Sequence, residues 1–218
     1  MVSIFIKAFV LTLIILFIGI MLGFWIESSR VEEIRSILIE TEILFNDARL
    51  QSLYYTDFSN TTEFCESALK SNLEYNSRIY QEGLKIERYE VANKLSPELL
   101  LERKRYALLQ FQFWMNAVKL KSLCNFDYDV LLHLWKYQVS DYDTDLKNKL
   151  ESAVILELKE KCGNKLMLSP IPIDLNLTSV DIAVRNYNIT KTPAIIINNK
   201  IILQGFYTLE QLEGYVNC

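Results

Sequence analysis

The first strong signal along the chain is apolar and unbroken. From Ala8 to Ile26 the residues AFVLTLIILFIGIMLGFWI carry no charge over 19 positions, with Lys7 before them and Glu27 after. A helix rises about 1.5 Å per residue, so this run roughly spans the hydrocarbon core of a bilayer. Beyond Glu27 the pattern becomes periodic. Ile34, Ile37, Leu38, Thr41, Leu44, Phe45, Ala48 and Tyr55 recur by threes and fours, which predicts an amphipathic helix over 28–55 that continues the membrane helix outward. Asn60, Thr61 and Thr62 ahead of Glu63 form a helix-start signal, and Phe64, Ala68, Ile79, Leu84 and Ile86 hold helical phase to about Asn93. Ser96-Pro97-Glu98 then supplies an N-cap, a first-turn proline and an acid at the positive helix end, opening a third helix that runs to about Leu123. Tyr106, Phe111, Phe113 and Trp114 on that helix read as core and helix contact rather than as a ligand pocket.

At Cys124-Asn125 the pattern shifts. DYDVLLHLWKY is apolar and of strand length, TDLKNKLESAVILELKEKCG is helical with Gly163 as its stop, and KLMLSPIPID is extended. A short helix follows over about 179–187, then PAIIINN, KIILQGF and the helical TLEQLEGYV, so the predicted order is β-α-β-α-β-β-α. Pro170 and Pro172 cannot donate to a ladder, which places KLMLSPIPID at a sheet edge. Asn198-Asn199 between apolar runs marks a tight hairpin.

With 218 residues, the chain holds one large domain or two modest ones beside the apolar segment. A net charge of -4 without a concentrated basic face gives no sign of a nucleic-acid partner. Trp25, Ile26 and Glu27, where a cleaved signal would need small residues, favour an uncleaved anchor over 8–26. Lys7 precedes the span, while Glu27, Arg30, Glu32, Glu33 and Arg35 after it nearly cancel. The flanking charge therefore keeps the N-terminus in the cytoplasm and everything after Glu27 outside, a single-pass topology. An outside location favours disulfides among the four cysteines, Cys65, Cys124, Cys162 and Cys218, and suits the sequons at Asn60, Asn176 and Asn188. None of the cysteines lies in a CxxC. With His133 the single histidine and no Cys/His cluster, neither a metal nor a cofactor is expected.

Thr192-Pro193 opening the third strand, the Asn-rich hairpin, Gly205 after the fourth strand and the closing amphipathic helix together resemble the thioredoxin fold, over about Asp127 to Val216. The chain then divides into a transmembrane anchor (1–27), a helical stalk, hairpin or coiled coil (28–124) and a thioredoxin-like domain (125–218), mixing α+β and α/β character. The resemblance implies a cis Thr192-Pro193 bond beside the place where the family keeps its redox dithiol, and a Thr192 backbone offered to an extended peptide. In the family the two cysteines come four and seven positions after a Trp that closes the first strand. Counted from Trp135, those positions are Val139 and Tyr142. Thiol exchange needs an accessible thiolate, and neither residue supplies one.

Asp141, Asp143 and Asp145 begin like a calcium loop, but Leu146 and Ser152 stand where glycine and glutamate are required, so these acids read as helix-start residues. His133 within a strand reads as packed rather than catalytic. Two functions remain. The first is a redox-inactive module, not an enzyme, binding a protein or extended peptide around Thr192, Pro193, Trp135, Val139 and Tyr142. The second is a thiol-disulfide oxidoreductase or isomerase using Cys124 or Cys162. A hairpin turning near Leu95 would level Cys65 with Cys124, and the thioredoxin-like arrangement implies that Cys162 meets Cys218. The helical region could pair with a second copy, as a homodimer, as easily as pack on itself.

Overall fold

The computed structural model describes residues 2–57, 62–92 and 97–218. Asn60 and Thr61 of the helix-start signal, Asn93, Leu95 at the expected turn and Ser96 of the expected cap fall outside these, as do the side chains of Ile34, Ile37, Leu38 and Thr41. The chain forms two compact units, Met1–Glu42 and Ile43–Cys218. The first unit is helical and belongs to α1 (Val2–Asp57). Within it, Ile4–Ile26 is a 23-residue apolar stretch with every side chain exposed. At about 1.5 Å per residue it exceeds the roughly 30 Å hydrocarbon core.

The second unit begins with the end of α1, from Ile43, followed by α2 (Thr62–Ala92) and α3 (Pro97–Cys124). Cys65 is bonded to Cys124 with Cα atoms 5.7 Å apart, the Tyr75 and Phe113 rings lie 6.3 Å apart, and Gly83 lies against Tyr106. Partners on α3 move back along the chain as those on α2 move forward, so the two helices form an antiparallel hairpin. The end of α1 joins them: the Asn116 Nδ2 donates to the Ala48 carbonyl (3.2 Å) and the Lys119 Nζ to the Ser52 carbonyl (2.9 Å).

Four strands follow, in the order β2-β1-β3-β4. β1 (Asp129–Trp135) is parallel to β2 (Leu166–Pro172) and antiparallel to β3 (Ala194–Ile197), which pairs with β4 (Ile201–Gln204). The parallel pair needs a crossover, and α4 (Tyr142–Cys162) supplies it. α5 (Thr178–Asn186) and α6 (Leu209–Glu213) complete the chain. Side chains alternate across the sheet. Val130, Leu132, Leu134, Met167 and Ile196 enter one core with Phe113 and Trp114 of α3 and Val180 of α5, whereas Leu131, Leu166, Ile195 and Ile197 enter another with Ile155 and Leu158 of α4 and Leu212 of α6. The first of these cores also takes in α2 residues and the end of α1, so position 124/125 marks a change of element within continuous packing.

β2 lies at the sheet edge, where its prolines place it. The Ile173 N–H donates to the Trp135 carbonyl (2.8 Å), and by alternation Ile171, Ser169 and Met167 also face β1. Pro170 and Pro172 fall at the positions whose N–H would point away from the sheet. Asn198 and Asn199 turn the β3–β4 hairpin with φ of 52° and 58°, the left-handed region that asparagine tolerates. Gly163, at φ 55°, closes α4 and donates its N–H to the Lys159 carbonyl. The Thr192-Pro193 bond is cis. The last helix is shorter than its pattern over 208–216. The chain leaves it at Gly214 so that Val216 enters the core, the Asn217 N–H reaches Asp129 Oδ2 (2.6 Å) and Cys218 bonds to Cys162, with Cα atoms 4.8 Å apart.

Candidate functional site

The segment after β1 is held by its backbone. Asp174 accepts from the Tyr137 and Gln138 N–H groups, each at 2.8 Å, and the Asn148 Nδ2 donates to the Lys136 carbonyl at 3.0 Å. At the start of α4, the Asp141 carboxylate accepts from the Thr144 hydroxyl (2.8 Å) and N–H (3.0 Å), which together hold its carboxyl below the usual range. Asp143 pairs with Lys147, and Asp145 with Lys149 at 2.6 Å. The three acids thus cap and pair locally. Among the described residues no group of three His, Cys, Asp or Glu side chains comes together.

A second loop enters β3, and Gln204 of β4 organises it. Its Oε1 accepts from the Thr190 N–H (2.8 Å), the Lys191 N–H (3.0 Å) and the Thr190 hydroxyl (3.1 Å), while its Nε2 donates to the Asn188 carbonyl (3.1 Å). Between the two loops lies a cleft of about 400 Å³, whose lining includes Lys136, Lys147, Ile173, Lys191, Thr192 and Phe206. No hydrogen bond among the described residues takes up the Thr192 N–H or carbonyl, so a main-chain donor and acceptor stand beside the cleft.

Of the five residues singled out for binding, Thr192 lines this cleft. Pro193 is buried directly behind it, its carbonyl accepting from the Gly205 N–H (2.8 Å). Trp135 ends β1 with its ring 6.1 Å from that of Tyr137 and lines a different concavity. Val139 lies in the loop before α4, and Tyr142 is the first residue of α4 and 78% exposed. Sequence reasoning missed Lys136, Lys191 and Gln204. A glutamine closing a strand just before Gly205 was the available signal for the last of these.

The other concavity, about 760 Å³, runs between α2, α3, α4 and the outer edge of β2, past Tyr80, Gly83, Tyr106, Lys159 and Pro170. Lys159, held below its ordinary pKa by burial, donates to the Gly163 and Leu166 carbonyls (2.6 and 2.7 Å) and so closes one end of that strand edge. Beneath α4, the His133 Nε2 stands 3.2 Å from Glu151 Oε2, both side chains almost completely enclosed and out of alignment for a hydrogen bond. All four cysteines are in disulfides. Cys162, at the far end of α4 from Thr144, is about 27 Å along the helix from the cleft.

No family model matches the sequence, and no curated protein matches it. Among solved structures that match, one described as the structure of a malarial protein shares 18% identity over 40% of this chain and 91% of its own, with a TM-score of 0.31.

Proposed function

We propose that the chain is a membrane-anchored, extracytoplasmic module with a thioredoxin-like C-terminal domain that lacks the redox dithiol and binds an extended peptide or partner protein along Thr192. Four strands with a parallel β1–β2 pair, a crossover helix and helices on both faces support the thioredoxin-like reading. The apolar helix over Ile4–Ile26 supports the anchor, and its flanking charges favour a cytoplasmic N-terminus. The observation that carries the binding role is the unpaired Thr192 peptide group beside a cleft. An extended chain satisfies such groups by adding main-chain hydrogen bonds, and side chains entering the cleft add selectivity.

The rival reading uses Cys124 or Cys162 in thiol exchange. Each is bonded to another cysteine, and neither lines the cleft. The two readings separate in one pair of measurements on the full chain in detergent or nanodiscs. Alkylation of the folded, unreduced protein followed by mass spectrometry should leave all four cysteines unlabelled. A photo-crosslinking residue at Thr190 or Phe206 should capture an added extended peptide, and one at the exposed Leu150 should not. A cysteine that alkylates in the folded chain and whose serine variant abolishes disulfide reduction would establish the enzyme instead.

A further inference from the structure

The cleft beside Thr192 is lined by three lysines and by no carboxylate. Lys147 is paired with Asp143. Lys136 and Lys191 have no carboxylate within ion-pair distance among the described residues. Acids on the segments around the cleft are bonded locally: Asp141 caps α4 through Thr144, Asp145 pairs with Lys149, and Asp174 holds the Tyr137 and Gln138 N–H groups. Both exposed lysines also start from fixed backbone, since Asn148 holds the Lys136 carbonyl and Gln204 holds the Lys191 N–H. Two cations from separate loops thus flank one unpaired peptide group. Such a surface is complementary to negative charge carried on an extended chain, and it repels a basic one.

We propose that the cleft selects extended peptides with acidic side chains next to the residue that pairs with Thr192, an inference that rests on the peptide-binding reading above. Glu or Asp flanking an apolar residue supplies the carboxylates, while the apolar residue meets Ile173 and Phe206.

The test uses the full chain in nanodiscs of neutral lipid and three series of capped peptides with a shared apolar core, flanked by Glu, Gln or Lys. Glu peptides should bind about tenfold more tightly than Gln peptides, as expected of two partly exposed ion pairs, and added salt should erase the difference. Lys136→Ala with Lys191→Ala should abolish the preference, and Lys136→Glu with Lys191→Glu should invert it toward Lys peptides. Both positions are exposed, and far-UV circular dichroism checks that the variants fold. Equal affinity for the three series, or a preference unchanged in the variants, would overturn the acidic selectivity and leave the peptide edge standing. Binding by no series at all would overturn the peptide reading and this inference with it.

Discussion

Asp129 opens β1, yet its carboxylate serves three other segments. Oδ1 accepts from Lys121 of α3 (3.1 Å) and from the Asn198 amide in the hairpin (2.7 Å), and Oδ2 accepts from the Asn217 N–H in the tail (2.6 Å). Burial alone would raise this carboxyl, but the Asn217 N–H, the Asn198 amide and Lys121 outweigh it and hold it below its ordinary value. A carboxyl lowered on folding contributes stability that is complete above its ordinary value of 3.8 and is lost as pH falls through the folded-state value. Thermal melts of the parent should therefore weaken on acidification below that point, and Asp129→Asn should lack that part of the decline. At neutral pH, Asp129→Ala should cost about 2–4 kcal/mol in denaturant titration, because it leaves buried donors without their charged acceptor. Nothing in the one-dimensional pattern marks this residue, since two of its three partners, Asn198 and Asn217, lie far along the chain.

At the scale of elements, spacing carried much of the fold and little of the cleft. Apolar positions in helical phase mark the outer part of α1 and α2, a Ser-Pro-Glu start marks α3, and an antiparallel turn between α2 and α3 levels Cys65 with Cys124. Two prolines place β2 at the edge, and two asparagines mark the hairpin. The cleft was harder to read because Lys136 and Lys191 come together only through the loops that follow β1 and precede β3. Counting from Trp135 reaches Val139 and Tyr142 but does not say where the chain turns into α4. The tight approach of the two helices at Gly83 was equally hidden, although it yields a sharp expectation. A Cβ on Gly83 would lie 2.5 Å from the Tyr106 hydroxyl and 2.9 Å from its ring carbon Cζ, and that ring is buried with its hydroxyl bonded to Gln110. Gly83→Ala gains helix propensity but must push the helices apart, so we expect a net loss of about 1–3 kcal/mol by urea unfolding. A Gly83→Ala/Tyr106→Phe double variant should recover part of it.

For the whole molecule, two disulfides close loops with sequence separations of 59 and 56 residues. Loop-closure entropy places each near about 4 kcal/mol, so Cys65→Ala/Cys124→Ala should lower stability by up to that amount in a denaturant titration. The apolar surface of Ile4–Ile26 predicts that the chain stays with the membrane pellet through alkaline carbonate washing and that a 43–218 fragment does not. The proposed anchoring would change what the edge of β2 must withstand. Chains held in a bilayer by their first helices would diffuse in two dimensions, where collisions between like edges are frequent. An edge strand normally offers a neighbour alternating donors and acceptors. Here the Leu166 carbonyl is taken by Lys159, its N–H is donated to the Gly163 carbonyl, and the outward places of residues 170 and 172 belong to prolines, which leaves Leu168 with the last outward N–H along that strand. A neighbouring strand would find a single main-chain donor where a ladder needs several, so this edge is a poor template for strand pairing between crowded copies.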